Sequence, residues 1–162
     1  MILLRYLYVV ALVVWVGGLL VAGALVAPSV FGVLQAWNPS EGRVLAGQVF
    51  GEVLLRLTWL SYVMGAVMFI TLTLHRLLGA RPVKYGIRVG IMALMLVMMM
   101  VTGFYLIPQV DALQAEVSGP VAELPDTDPR RVEFNRLHGL SNILFSITAL
   151  GGLGLCWWEA RE

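Results

Sequence analysis

Apolar positions along the chain gather into four blocks, Tyr6 to Ala27, Val53 to Leu74, Val89 to Ile107 and His138 to Trp158, separated by segments that hold nearly all of the charge. Each block is about 19 to 22 residues long, enough helix to cross roughly 30 Å of hydrocarbon. In lipid every backbone N–H and C=O must be bonded internally, so a span is a helix unless it belongs to a closed barrel. A barrel demands two-residue alternation, and runs such as Ile91 to Val101 show none. The pattern predicts an all-α fold. It is an integral membrane four-helix bundle, one domain over residues 1–162, with spans at about 6–27, 53–74, 89–107 and 138–158.

Arg5 ahead of the first block and Ala22-Gly23-Ala24 within it lend it some likeness to a cleaved secretory signal. The stretch exceeds the ~7–15 apolar residues of a signal core, and Trp15, Gly17 and Gly18 suit a packed helix, so the block is read as a retained span.

The connections carry their own signals. Asn38-Pro39 pairs an N-cap with a proline in the first turn, so the second helix is expected to begin near Pro39, along the interface, with Gly47 and Gly51 as places to bend. The third helix is expected to stop near Pro108, leaving an outside loop over about 108–128. Asp128-Pro129 repeats the capping pattern and starts the fourth helix about two turns before His138. No residue-level internal repeat is visible.

Composition agrees with a membrane domain: 59% of residues are hydrophobic and 13% charged, where soluble domains carry roughly a quarter. The net charge of +1 and the single cysteine, Cys156, exclude a basic nucleic-acid-binding surface and a disulfide scaffold. Arg5, the connection with Arg76, Arg81, Lys84 and Arg88, and Arg161 form a basic side against only Glu159 and Glu162. Arg43, Arg56, Arg130, Arg131 and Arg136 face eight acids on the other side. Because Lys and Arg set orientation, both termini are expected in the cytoplasm, in the plasma or inner membrane of the cell.

Several residues are candidates for chemistry. Ala11, Trp15, Gly18 and Ala22 form a small-residue face for helix contact. Arg56 is the one residue within the four blocks charged at neutral pH, and Glu52 lies one turn away; the two form either a snorkelling interfacial pair or part of a site. On the fourth helix His138, Ser141, Asn142, Ser146, Ala149 and Gly152 share one polar or small face, expected to point inward because polar groups facing lipid go unsatisfied. The threading brings Glu52, Arg56, Tyr105, His138, Ser141 and Asn142 to the outer end as a candidate ligand pocket. His75, 19 residues beyond Arg56 and so about 28 Å away along a helix, cannot join His138 on one haem iron. Met64, Met68, Met92, Met95 and Met99 recur at helical spacing, as core filler or as soft ligands for Cu(I). No metal-ligand cluster, phosphate loop or activated nucleophile is present, so no cofactor is specified and an enzyme is not expected.

The run Phe134-Asn135-Arg136-Leu137-His138-Gly139-Leu140-Ser141-Asn142, with Tyr105-Leu106-Ile107-Pro108, Trp15-Val16-Gly17-Gly18, Pro28-Ser29-Val30-Phe31 and Ala46-Gly47-Gln48-Val49-Phe50-Gly51, resembles the transmembrane protein 205 family and its bacterial relatives of unknown function. The resemblance covers nearly all of the chain and implies four spans in a small bundle with no established catalysis. It marks His138, Gly139, Ser141 and Pro108 as motif positions. The Trp-x-Gly-Gly element is shared loosely with copper-resistance and haem-pathway membrane proteins, which often place a histidine before the tryptophan; this chain has Tyr8 in that region.

The resulting expectation is a non-enzymatic multi-pass membrane protein that binds, or helps move, a small ligand in an outward-facing polar pocket. Arg56 would neutralise the ligand, with His138 and Asn142 orienting it. The alternatives are an accessory subunit of a larger membrane complex or homo-oligomer, and a haem or copper protein. The expected surroundings are the lipid bilayer, without nucleic acid.

Overall fold

The structure, a computed structural model, describes residues 2–79, 84–117 and 119–161. All regular structure among them is helical: α1 (Ile2–Val21), a π-turn (Ala22–Val26), α2 (Ala27–Trp37), α3 (Pro39–Leu78), α4 (Tyr85–Val101), a second π-turn (Thr102–Leu106), α5 (Ile107–Ala115), a 3₁₀ turn (Val121–Glu123) and α6 (Pro129–Glu159). Joined through their π-turns, these make four rods long and apolar enough to cross a membrane: Ile2–Trp37, Pro39–Leu78, Tyr85–Ala115 and Pro129–Glu159. The chain is a multi-pass membrane protein.

Capping starts two of the rods where the sequence predicts. The Asn38 side chain accepts from the backbone N–H of Ser40 and Glu41 at 3.1 and 3.2 Å, and Asp128 accepts from that of Arg130 at 2.9 Å. The third rod departs from expectation. Pro108 does not end it but lies in the first turn of α5, and the connecting loop begins only after Ala115. A proline ring clashes with the carbonyl four residues back and offers no N–H. The widened turn just before each of Pro28 and Pro108 relieves that conflict and lets the rod run on. α3 likewise continues unbroken through Gly47 and Gly51.

α1 and α4 each pack against both α3 and α6, so α3 and α6 stand diagonally across the assembly, and α2 folds back along the start of α3. The core runs along Leu12, Trp15, Val16 and Leu19 of α1, Leu57, Met68 and Leu72 of α3, Met92, Met95 and Met99 of α4, and Leu155 of α6. A smaller cluster of Leu106, Leu137 and Leu144 joins the third rod to α6. Ala11, Trp15 and Ala22 are buried and Gly18 faces Leu57, so the small-residue face of α1 is a helix contact. The methionines at 68, 92, 95 and 99 sit in this core.

An internal repeat, invisible as residue identity, is present in the packing. Buried Tyr8, Leu12, Trp15, Leu19 and Ala22 are matched 80 positions later by buried Arg88, Met92, Met95, Met99 and Thr102, and both π-turns keep the same offset. Leu57, Ser61, Gly65 and Met68 of α3 are matched 87 positions later by Leu144, Thr148, Gly152 and Leu155 of α6. Contacts follow the same rule. Gly65 lies under Leu96 and Gly152 under Val16, while Gly103 faces Thr58 and Gly23 faces Phe145. Two helical hairpins, α1–α3 and α4–α6, are therefore related by an approximate two-fold.

Glycine is required where α2 turns back on α3, because a Cβ at Gly42 would overlap the backbone carbonyl of Leu34, whereas one at Gly51 meets nothing. Gly42→Ala is expected to lower stability by about 1–3 kcal/mol or more, the range for overpacking. Gly51→Ala should be neutral or raise it by about 0.5–1 kcal/mol through helix propensity. Thermal unfolding midpoints in one membrane mimetic check the pair. Asp128 gives a pH test at the other cap. Its carboxyl is held below the ordinary aspartate range by the Arg130 side chain and then by the Arg130 backbone N–H. The depressed value means the cap contributes above the ordinary aspartate range and is lost as pH falls through the folded value. Protection of the first amides of α6, measured against the intrinsic exchange rate at each pH, should thus be full at neutral pH and fall only once the pH drops below the ordinary aspartate range.

Candidate functional site

Depth along the rods follows from contacts at the end where α1 starts and α6 finishes. There Arg5, His75, Arg88 and Glu159 line one cavity. Twenty residues along each rod, about 30 Å at 1.5 Å per residue, lie Leu25, Leu55, Pro108 and Gly139. Arg56, Tyr105 and His138 thus share a level, as the threading predicts.

Their directions differ from expectation. Arg56 Nε donates to Glu52 Oε1 at 2.8 Å, but the two side chains are 78% and 54% exposed. They lie in an open groove lined by Leu45, Gln48, Val49 and Val53, all from α3 itself. His138 is exposed and stacks on Phe134 one turn earlier, ring centroids 6.1 Å apart. Tyr105 and Asn142 are exposed and Ser141 is half-buried. Since α3 and α6 are diagonal, the six residues do not close around a common cavity. The reason is the phase of α6: Leu137, Leu144 and Thr148 face inward, which turns His138, Asn142 and Ser146 out, and only Ala149 and Gly152 of the proposed polar face are buried.

The opposite end brings together what the sequence reading keeps apart. Arg88, there part of a basic connection, is in the first turn of α4 and only 2% exposed. Its Nη1 donates to Glu159 Oε1 at 2.5 Å, while Arg5 Nε donates to Glu159 Oε2 at 3.3 Å and Arg5 Nη2 to the Glu159 carbonyl at 3.4 Å. One carboxylate therefore bridges the ends of α1, α4 and α6. Tyr8, Thr71, Leu72 and His75 complete the wall of a cavity of about 50 Å³, to which all four rods contribute. Thr71 is settled by its own helix, its Oγ1 donating to the Val67 carbonyl at 2.7 Å.

Helical spacing sets these residues in line with the buried stripes. Arg88 continues the buried stripe Met92, Met95, Met99; Glu159 continues Thr148, Gly152, Leu155; Tyr8 continues Leu12, Trp15, Leu19; His75 continues Gly65, Met68, Leu72. Each lies one turn beyond those buried residues; Leu4, a turn past Tyr8, lines the cavity as well, and Tyr85, a turn from Arg88, is half-buried against the core. Guanidinium, imidazole and phenol groups around one carboxylate form a chamber suited to a small oxyanion or a dipolar group.

Removing one partner of a buried ion pair leaves a charge poorly compensated and typically costs about 3–5 kcal/mol, whereas replacing both by apolar groups approaches neutrality. Arg88→Met and Glu159→Met singly should each depress the unfolding midpoint strongly. The double variant should recover much of the loss, and a thermodynamic cycle over the wild type and the three variants measures the coupling.

A family model described as a domain of unknown function, DUF4149, matches residues 10–118, from α1 through the third rod. No curated protein and no solved structure matches the chain.

Proposed function

Since the chain belongs to the DUF4149 family, whose name carries no activity, we propose from its geometry that it is a non-enzymatic membrane protein that holds a small anionic or dipolar ligand between its helices. The site is the chamber of Arg5, Tyr8, His75, Arg88 and Glu159 in place of the outward-facing pocket. In this reading the four rods form a bundle with both termini in the cytoplasm, and the chamber opens to that side, in agreement with the basic charge there. The finer likeness to the transmembrane protein 205 family rests largely on the Phe134 to Asn142 run, beyond the matched residues.

One observation carries the reading: four separate helices each bring a polar side chain, next in line after their buried stripe, to one cavity large enough for a few atoms. Apolar residues would join the helices at lower desolvation cost. A ligand that bonds to the chamber's donors gives those residues a use that packing alone does not require. Arg5, 44% exposed, is the entrance, and His75 and Tyr8 are the walls.

A second reading, an accessory subunit of a larger membrane complex, draws support from the far end. Val33, Trp37, Leu45 and Val49 are exposed on the α2–α3 hairpin, and Glu52, Arg56, His138 and Asn142 face outward close by. A partner covering this end would satisfy both sets.

The test uses the purified chain in phosphatidylcholine nanodiscs, with acetate, bicarbonate or inorganic phosphate as probe. At least one probe is expected to raise the unfolding midpoint. At a hundredfold excess over its dissociation constant the gain is about 2.7 kcal/mol. Arg5→Gln and His75→Ala should reduce the shift while the free proteins stay folded. Absence of a shift with all three probes, or equal shifts in the variants, refutes the chamber as the ligand site.

A further inference from the structure

Around the chamber, the exposed charges of the same end are basic among the described residues. Among the described residues its only carboxylate is Glu159, drawn inward to Arg88 and Arg5. Arg76, Lys84 and Arg161 are exposed, and none forms an ion pair among the described residues.

Each of these cations instead lies over an aromatic ring. Arg76 Cζ is 4.4 Å from the centroid of Tyr85, Lys84 Nζ 5.0 Å from that of Trp158, and Arg161 Cζ 4.4 Å from that of Trp157. A ring face positions a cation without neutralising it, leaving N–H donors free for an anion. The pairs are spread around the perimeter: Arg76 with Tyr85 spans the seam between α3 and α4, Lys84 with Trp158 that between α4 and α6, and Arg161 with Trp157 the outer face of α6. Deeper along the spanning helices, Leu74 and Ile87 are exposed within a turn of Arg76 and Lys84, and Leu153 and Leu150 are exposed one and two turns from Trp157.

We infer that this collar binds the headgroups of anionic phospholipids, phosphate on the ring-held cations and acyl chains along the apolar seams beneath. The pairing of ring-held cations with apolar surface within about two turns deeper matches an amphiphile and not a soluble phosphate, which has nothing to lay on Leu74 or Leu153. Tryptophan and tyrosine at this depth fit the headgroup boundary, where rings with one wet edge collect. Basic clusters at such boundaries recognise anionic lipid, each Lys or Arg near the surface strengthening attraction by about fivefold (about 1 kcal/mol). The inference does not depend on the chamber's ligand, since none of the three cations lines the chamber.

The experiment reconstitutes the full chain in phosphatidylcholine vesicles holding phosphatidylglycerol and compares the motional restriction of spin-labelled phosphatidylglycerol with that of spin-labelled phosphatidylcholine. The wild-type protein is expected to favour the anionic lipid severalfold, and high salt should reduce the preference, because exposed charges are screened. The combined variant Arg76→Gln, Lys84→Gln, Arg161→Gln should bring the ratio close to one, with helix content unchanged by circular dichroism. Arg161→Gln alone, at the chain's end, should lower it by twofold or more if the triple variant does not fold. Equal association of the two lipids with the wild type overturns the inference, as does a preference that survives the substitutions.

Discussion

Close approach between helix backbones is the constraint on which this structure rests. Lipid chains are as apolar as leucine, so burying a leucine between spanning helices gains little from water exclusion, and association depends on shape. The chain answers with glycines aimed at side chains of the neighbouring rod: Gly18 toward Leu57, Gly65 toward Leu96, Gly152 toward Val16 and Gly103 toward Thr58 and Tyr62. At each of these, a methyl group would push the partner away. Trp15 is wholly buried at the centre of the packing, its indole N–H without an acceptor among the described residues. Its ring fills volume that the small residues around it leave open.

Long rods create a second requirement, that prolines near their outer ends be tolerated without a break. Thr102 Oγ1 donates to the Met98 carbonyl at 3.0 Å, and Tyr62 Oη donates to the Met99 carbonyl at 3.2 Å, so carbonyls entering the second π-turn have side-chain donors. The Tyr62 ring then stacks on Phe104 at 5.9 Å and meets Trp59 edge-on at 5.7 Å. A local widening of one helix is thereby tied to the aromatic surface of the next. The matching turn before Pro28 shows that this device belongs to the repeated unit and not to one rod.

The spans, both capped helix starts and the small-residue face of α1 were legible because each rests on local chemistry: block length, an Asn-Pro or Asp-Pro pair, or helical spacing. The shared depth of Arg56 and His138 was legible too, being a matter of counting residues. What the sequence did not display was rotation. Reading polar residues of α6 as inward treats lipid as touching the whole helix, yet this rod extends beyond a span, and near His138 its polar side meets the boundary where hydrogen-bonding partners exist. The inward stripe is set by Leu137, Leu144, Thr148 and Leu155 together. The repeat escaped notice for a related reason: equivalent positions hold tryptophan and methionine, or serine and threonine, and the two offsets of 80 and 87 differ because the hairpins have unequal connections. Burial and contact carry the relation; identity does not.

Arg88 shows how that relation bears on function. Its equivalent in the first hairpin is Tyr8, so the pseudo-symmetric partners at this level are a phenol and a guanidinium, while Glu159 of α6 corresponds, at the offset of 87, to Leu72 of α3. A purely structural repeat would keep apolar residues at all four places, as it does one and two turns deeper with Leu12 and Met92, Trp15 and Met95. Instead the second hairpin places charge, Arg88 and Glu159, where the first has a phenol and a leucine, and this departure falls beside the cavity. A symmetric cage offers a ligand two identical halves. In the reading we propose, this asymmetric chamber would set donors against a carboxylate acceptor and so orient a dipolar guest, and the cost of burying charge falls at a level where the helices enclose a cavity.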